Sequence, residues 1–412
     1  MTTTAPGSTP TAPSVRAAHF RLAVLALATG GFAIGTTEFV TMGLIREIAD
    51  GVDVSIPTAG HVISAYALGV VVGAPVLAFF GARWPRRGLL VALMTAYAAF
   101  NALSAVATSF EMLLVARFLD GLPHGAYFGV ASLVAASLAP AGRKGRAVAM
   151  VMIGLSVANV VGVPAATWMG QHLGWRSAYW GVALLALVTV AMVLVFVPSC
   201  PGDREATGTK ELKAFTHLQV WLTLLAGAVG FGGMFAVFSY IAPTVTEVGG
   251  LGDGAVPLFL LMFGIGMVVG TFVAGELADW SVVRSLLISS LGMGLVLLAF
   301  WALAPHGYWL LPVAFATTFL GSVLVVNLQL RLMDVAGEAQ TLGAAMNHAS
   351  LNVANALGAW LGGLVIAAGH GYRAPALVGV ALSIAGFAVV TASVLAQRAG
   401  ADRVRVTTRP AP

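Results

Sequence analysis

Gly154–Gly162 reads GLSVANVVG, and Ser350–Gly358 reads SLNVANALG. Ser156-Val157-Ala158-Asn159 falls on Asn352-Val353-Ala354-Asn355, an offset of 196 residues. Two further pairs extend the match at an offset of 197: Gly174-Trp175-Arg176 with Gly371-Tyr372-Arg373, and Gly69-x-x-x-Gly73 with Gly266-x-x-x-Gly270. A chain of two equivalent halves predicts two packed bundles with a site between them, the plan on which secondary transporters are built.

Composition places both halves in a bilayer. Of the 412 residues, 59% are hydrophobic and 9% charged, with a mean hydropathy of +0.93. A soluble domain carries about 25% charged residues, so this chain could not cover its surface in water. The 49 glycines predict close helix–helix contact, because small residues let backbones approach in lipid. The single cysteine, Cys200, excludes an internal disulfide and argues against a cysteine-based metal site. The scattered histidines lack metal spacing, and no cofactor is expected. The net charge of +5 is accounted for by membrane-flanking loops rather than by nucleic-acid binding.

Hydropathy predicts an all-α integral membrane protein with twelve transmembrane helices, at 20–45, 57–82, 88–108, 111–138, 146–170, 177–197, 218–243, 256–279, 285–304, 309–332, 341–368 and 374–397. The expected organisation is a disordered N-terminal tail (1–19), a six-helix bundle (20–197), a polar linker (198–217), a second six-helix bundle (218–397) and a C-terminal tail (398–412). The opening residues carry no cationic segment and do not read as a signal peptide. With both termini on the cytoplasmic side, that side holds 17 of the 21 Lys and Arg residues and the outer side holds 3: Arg46, Arg176 and Arg373. Arg117 is the one left within a span. This asymmetry predicts cytoplasmic termini and a cell (inner) membrane location.

Several motifs resemble one family. Ala78–Leu90 reads AFFGARWPRRGLL and is similar to the loop signature of the major facilitator superfamily, with Ala82 in place of an acid and Arg83, Arg86 and Arg87 keeping the bases. The second-half copy, Gly275-Glu276-Leu277-Ala278-Asp279, followed by Arg284, restores the acid. Arg117–Ala126, RFLDGLPHGA, resembles the span-four motif of drug/proton antiporters. Span five resembles the antiporter motif that bends this helix with Gly and Pro, here with Gly154, Gly162, Pro164 and Gly170. Gly35–Val40 and Ser64–Gly69 look like exporters of the sugar, nucleoside and chloramphenicol branch. The resemblance covers about residues 20–397. It implies the major facilitator fold, two pseudo-symmetric six-helix bundles, a monomer, and conformational roles for these motif residues.

A charge at the centre of a span costs roughly 2.5–3.5 kcal/mol on insertion scales. Three residues therefore stand out: Glu38, Arg117 and Asp120. Arg117 and Asp120 are three apart and share a helix face, to which His124 and Phe128 return. This face is expected to wall the central cavity; the alternative is a self-satisfied pair that fixes the helix, with His124 bonded to a backbone carbonyl. Glu38 and Arg117 each lie roughly 9 Å inside their helix ends at 1.5 Å per residue. Glu38 is expected to be the main protonatable group, alternating between a proton and Arg117; the alternative is a static Glu38–Arg117 bridge.

No acid occupies the repeat position of Glu38, which falls on Phe235–Phe238. The second half is instead rich in amides: Asn327 and Gln329 on span ten, and Asn347, His348, Asn352 and Asn355 on span eleven. Substrate contact is expected from His124, Phe128, Tyr240, Asn327, Gln329, Asn347 and His348. The repeat-related Asn159 and Asn355 are expected to bond helix to helix, and the Met and aromatic residues of span seven to be core or a cavity wall.

No GxxxxGK[ST] loop is present for nucleotide phosphates, and no HExxH or GxSxG motif for hydrolysis. The expectation is a non-enzymatic secondary transporter that exports a small organic molecule in exchange for protons. The rivals are a symporter or uniporter of the same fold, an integral-membrane enzyme, and a non-transporting scaffold.

Overall fold

A computed structural model of the chain describes residues 13–54, 56–81, 83–199 and 213–407. The foremost part of the expected N-terminal tail, Ala82 of the loop signature, Cys200 and most of the polar linker, and residues 408–412 lie outside these. Among the described residues the secondary structure is helical, with no strand.

The first half comprises α1 (Pro13–Gly43), α2 (His61–Gly81), α3 (Arg86–Ala105), α4 (Phe110–Leu138), α5 (Lys144–Leu173) and α6 (Arg176–Phe196). The second comprises α7 (Leu218–Phe238), α8 (256–280), α9 (282–303), α10 (Leu311–Val335), α11 (Gln340–His370) and α12 (Ala374–Thr407). In hydrocarbon every backbone N–H and C=O must be paired within the segment, so an apolar run of this length folds as a helix. Among the described residues nine stretches are long and apolar enough to cross a membrane; one of them, Val256–Val335, contains α8, α9 and α10. The polar α4 is not among the nine.

Two boundaries differ from expectation. α1 is already helical at Pro13, the first described residue, which lies within the expected tail. α12 is helical to Thr407, the last described residue, past the expected end at 397. Ser281, with φ −172° and ψ 109°, breaks the long α8–α9 run. Its Oγ accepts the Arg284 N–H at 3.3 Å and its carbonyl accepts the Ser285 hydroxyl at 2.7 Å, so α9 is capped where it restarts. Where a bend in α5 is expected, the structure has a π-helical turn at Ala158–Gly162, inside the opening motif, with Pro164 in the first turn of the helix that resumes beyond it.

The sequence repeat recurs as a repeat of contacts. A Cβ on Gly69 would run into the carbonyl oxygen of Phe118, and one on Gly73 into that of Leu122. Their counterparts Gly266 and Gly270 meet the carbonyl oxygens of Phe315 and Phe319, so α2 on α4 is matched by α8 on α10. Gly162 is pressed against Thr36 as Gly358 is pressed against Gly232, matching α5 on α1 with α11 on α7. The halves meet along α5–α8 and along α2 and α4 against α11, where Ala74, Ala345 and Ala349 form a small apolar cluster.

Candidate functional site

A buried ionic cluster sits inside the first half. Arg117 Nη1 pairs with Asp120 Oδ2 at 2.6 Å on adjacent turns of α4, and both side chains are 0% exposed. Asn101 on α3 donates to Asp120 Oδ1 at 2.6 Å and accepts from the Thr37 hydroxyl at 2.8 Å. The guanidinium lies over the rings of Tyr66 and Tyr179, at 4.4 and 5.5 Å, where the π faces attract a desolvated cation. Buried ions need such added partners, since their mutual attraction alone does not offset desolvation.

The cluster is a wall of the bundle interior rather than of open space. Neither Arg117 nor Asp120 lines the central cavity, because Thr37, Tyr66, Tyr97 and Asn101 close over them. Nor is there a Glu38–Arg117 ion pair: Arg117 takes Asp120 and points its other nitrogen at the Thr37 carbonyl, 3.5 Å away.

From this cluster a chain of side chains crosses to the second half. The Tyr97 and Tyr66 hydroxyls are 3.3 Å apart, and Tyr66 meets His124 Nδ1 at 2.9 Å. His124 Nε2 then meets His348 Nδ1 of α11 at 3.0 Å. His124 is thus bonded to side chains on both flanks rather than to a backbone carbonyl. Phe128 stacks on His348, with ring centres 4.2 Å apart and planes 12° from parallel. His348 Nε2 is buried without a hydrogen-bond partner, and His348 lines the central cavity.

That cavity lies between the halves and, with the open space at its mouth, spans about 780 Å3. α1 contributes Glu38 and Phe39, and α5 contributes Met152, Leu155, Ser156 and Asn159. Phe231, Phe235 and Phe238 of α7, with Met234, form a largely aromatic wall. Asn352 and Asn355 of α11 face it together with His348. Glu38 is the one acidic or basic side chain other than histidine among these wall residues, and it forms no ion pair among the described residues.

The remaining expected contacts lie elsewhere. Gln329 bonds across the halves to the Ser132 hydroxyl, and Asn347 donates to Gln329 Oε1 at 3.1 Å. Asn327 donates to the Val323 carbonyl of its own helix at 2.8 Å. All three are fully buried and outside the cavity wall. Tyr240 is also outside it, donating to the Ala359 carbonyl at 2.7 Å against Gly362 and Gly363. Asn159 does not bond helix to helix: its amide returns to the Leu155 carbonyl at 3.0 Å, and it faces the cavity with Asn355.

A second polar contact joins the halves where α5 starts and α8 ends. Asp279 Oδ1 accepts the Gly145 N–H at 2.8 Å, and Oδ2 lies 3.5 Å from Arg146, which also pairs with Glu276. The carboxylate sits at the positive end of α5, and Gly275 is small enough to lie against the Arg146 backbone. Nothing in the sequence marks Arg146 as the partner of this acid, because the helix that faces it is set by the tertiary fold. Arg284 instead lies over the Trp280 ring at 5.2 Å, and Arg87 donates to the Leu194 carbonyl, tying α3 to α6.

Comparison with known proteins agrees with this architecture. The profile of the Major Facilitator Superfamily matches residues 27–341. The inner membrane transport protein YdhP of Escherichia coli (strain K12) is 40% identical over 370 residues, spanning 89% of this chain and 94% of YdhP. A chloramphenicol resistance protein of Streptomyces lividans is 36% identical over 340 residues, spanning 81% of this chain and 86% of that one. The crystal structure of the transporter FucP in the outward conformation superposes with a TM-score of 0.74 at 14% identity, covering 91% of this chain and 99% of FucP, a likeness of fold. The chain is a membrane protein with the major facilitator fold, and it belongs to the major facilitator superfamily.

Proposed function

We propose that this secondary transporter exports a small, largely neutral organic molecule in exchange for protons. The observation that carries the reading is Glu38: a carboxyl group without an ion-pair partner on the wall of a mostly apolar, aromatic cavity. The charged form of such a group is costly in a dry apolar setting, and taking up a proton removes the charge. Substrate and proton then compete for one site. The aromatic side chains of α7 and the amides of Asn159, Asn352 and Asn355 suit a flat apolar molecule bearing hydroxyl or amide groups, with His348 offering a further hydrogen bond. Arg117 and Asp120 hold the scaffold behind Glu38 and act on it through the field of their pair rather than by contact.

Transport follows by alternating access, with residues 20–197 rocking against 218–397 around the cavity and 198–217 as the linker. Twelve spans, cytoplasmic termini and a monomer complete the reading. Arg146, Glu276 and Asp279 serve as the contact that closes one entrance. The S. lividans relative is named for chloramphenicol resistance, so chloramphenicol is the first probe, followed by sugars and nucleosides.

The test is a pH-gradient assay in inverted vesicles. One compound should release protons from the lumen, and Glu38→Gln should abolish that release while still binding the compound. A Glu38→Gln protein that still pumps against a gradient would remove Glu38 as the carrier.

A further inference from the structure

A second large cavity lies on the flank of the first half and shares no wall residue with the central one. With its open side it spans about 730 Å3 between α2, α3 and α4, and its walls are apolar throughout: Leu77, Phe80, Leu89, Leu93 and Phe100 line it, and Leu122 and Pro123 form its back. On a membrane protein this flank faces acyl chains. Its length supports the same assignment. From Leu89 to Phe100 the groove runs along α3 for roughly 16 Å at 1.5 Å per residue, which is one leaflet of a hydrocarbon core about 30 Å thick.

One end of the groove differs from the other. Gly81 and Trp84 close it beside the basic stretch Arg83, Arg86 and Arg87. Trp84 is 53% exposed, as expected of a tryptophan at headgroup level. Arg87 is committed to the Leu194 carbonyl. Arg86 is half-buried and makes no hydrogen bond or ion pair among the described residues. A greasy slot one leaflet long, with a tryptophan and a half-buried arginine at its mouth, complements a single amphiphile: an acyl chain below and a negative headgroup above.

We propose that this groove is a binding site for an anionic phospholipid of the leaflet on the Arg83–Arg87 side. One acyl chain fills the slot against Leu93 and Pro123, and the phosphate meets Arg86. Pro123 lies between Asp120 and His124 on α4, so the chain packs on the back of the helix that carries the ionic cluster.

The test is native mass spectrometry of the detergent-solubilised full chain, titrated separately with dioleoyl phosphatidylglycerol and dioleoyl phosphatidylcholine. The wild type should retain one phosphatidylglycerol with at least about fivefold preference over phosphatidylcholine, the effect of one arginine at a membrane surface. Arg86→Gln should bring the two lipids to equal affinity. Ala96→Phe, which fills the slot, should remove retained lipid of both kinds. Excess inorganic phosphate should leave bound phosphatidylglycerol in place. Equal affinity of the wild type for both lipids, an unchanged preference in Arg86→Gln, or displacement by inorganic phosphate would each overturn the proposal. Arg86 is at the surface, so that variant decides the matter even where Ala96→Phe does not fold.

Discussion

Glu38 and Thr37 are neighbours on α1, and they divide the polar interior between them. Thr37 turns inward, donating to Asn101 and accepting from Arg117, while Glu38 faces the cavity. This places Glu38 at the cavity and leaves the Arg117–Asp120 pair inside the bundle. Removing one partner of such a pair strands a buried charge. Asp120→Ala should therefore cost about 3–5 kcal/mol, and Arg117→Met with Asp120→Leu should recover most of it; melting of the purified variants in one detergent checks this. A different outcome is expected at the bridge between the halves. His348→Phe keeps the stack on Phe128 but removes both ring nitrogens, so it should fold, with a melting change equivalent to about 1 kcal/mol. It should also weaken binding of any transported compound that offers a hydrogen bond, read by equilibrium binding. The i, i+3 pairing of Arg117 with Asp120 was legible in the sequence, because a helix fixes which residues share a face. The Tyr66, Tyr97, Asn101 and Tyr179 partners were not, since nothing local tells which of three other helices a tyrosine will reach.

At the scale of the element, the glycines of the repeat are positions of contact. Gly69 and Gly266 occupy equivalent places and abut equivalent carbonyl oxygens, those of Phe118 and Phe315. Gly69→Val and Gly266→Val should therefore destabilise by similar amounts, about 1–3 kcal/mol each, as overpacking does. Gly88, with nothing near its absent Cβ, should tolerate alanine with no loss; parallel thermal unfolding of the three variants tests the pattern. α5 and α11 share the opening motif but not its shape. α5 takes a π-turn at Ala158–Gly162, whereas in α11 the π-turn comes later, at Ile366–His370. The Gly and Pro of α5 marked it as irregular in the sequence, but not as a π-turn, because the extra residue in such a turn is set by what packs across it.

For the whole molecule, the question is what holds the halves in the observed arrangement. At the α5–α8 contact the Asp279 carboxylate caps α5 and pairs with Arg146, while the equivalent place in the first half, at Ala82, has no acid. The acid-based contact at Asp279 thus has no counterpart at the repeat position in the sequence. Partly exposed pairs of this kind contribute about 0.2–1 kcal/mol, so Asp279→Asn should shift the population with this face open by at most about fivefold. Distances between spin labels at positions 143 and 280, in a Cys200→Ser background, would measure that shift. An unchanged distribution would show that the apolar α2–α11 contact alone holds the face closed. The sequence by itself determined the class, the repeat, the places of most helices, and the ionic residues carried within apolar helices, because hydropathy, repeat spacing and helical periodicity are local properties. Only the tertiary structure decided that Glu38 faces the cavity while Arg117 and Asp120 lie behind it, that Asn159 and Asn355 face the cavity while Gln329, held by Asn347, bonds across the halves, and that Arg146 meets Asp279. Each of those outcomes depends on which helix lies opposite, and a one-dimensional pattern carries no record of that partner.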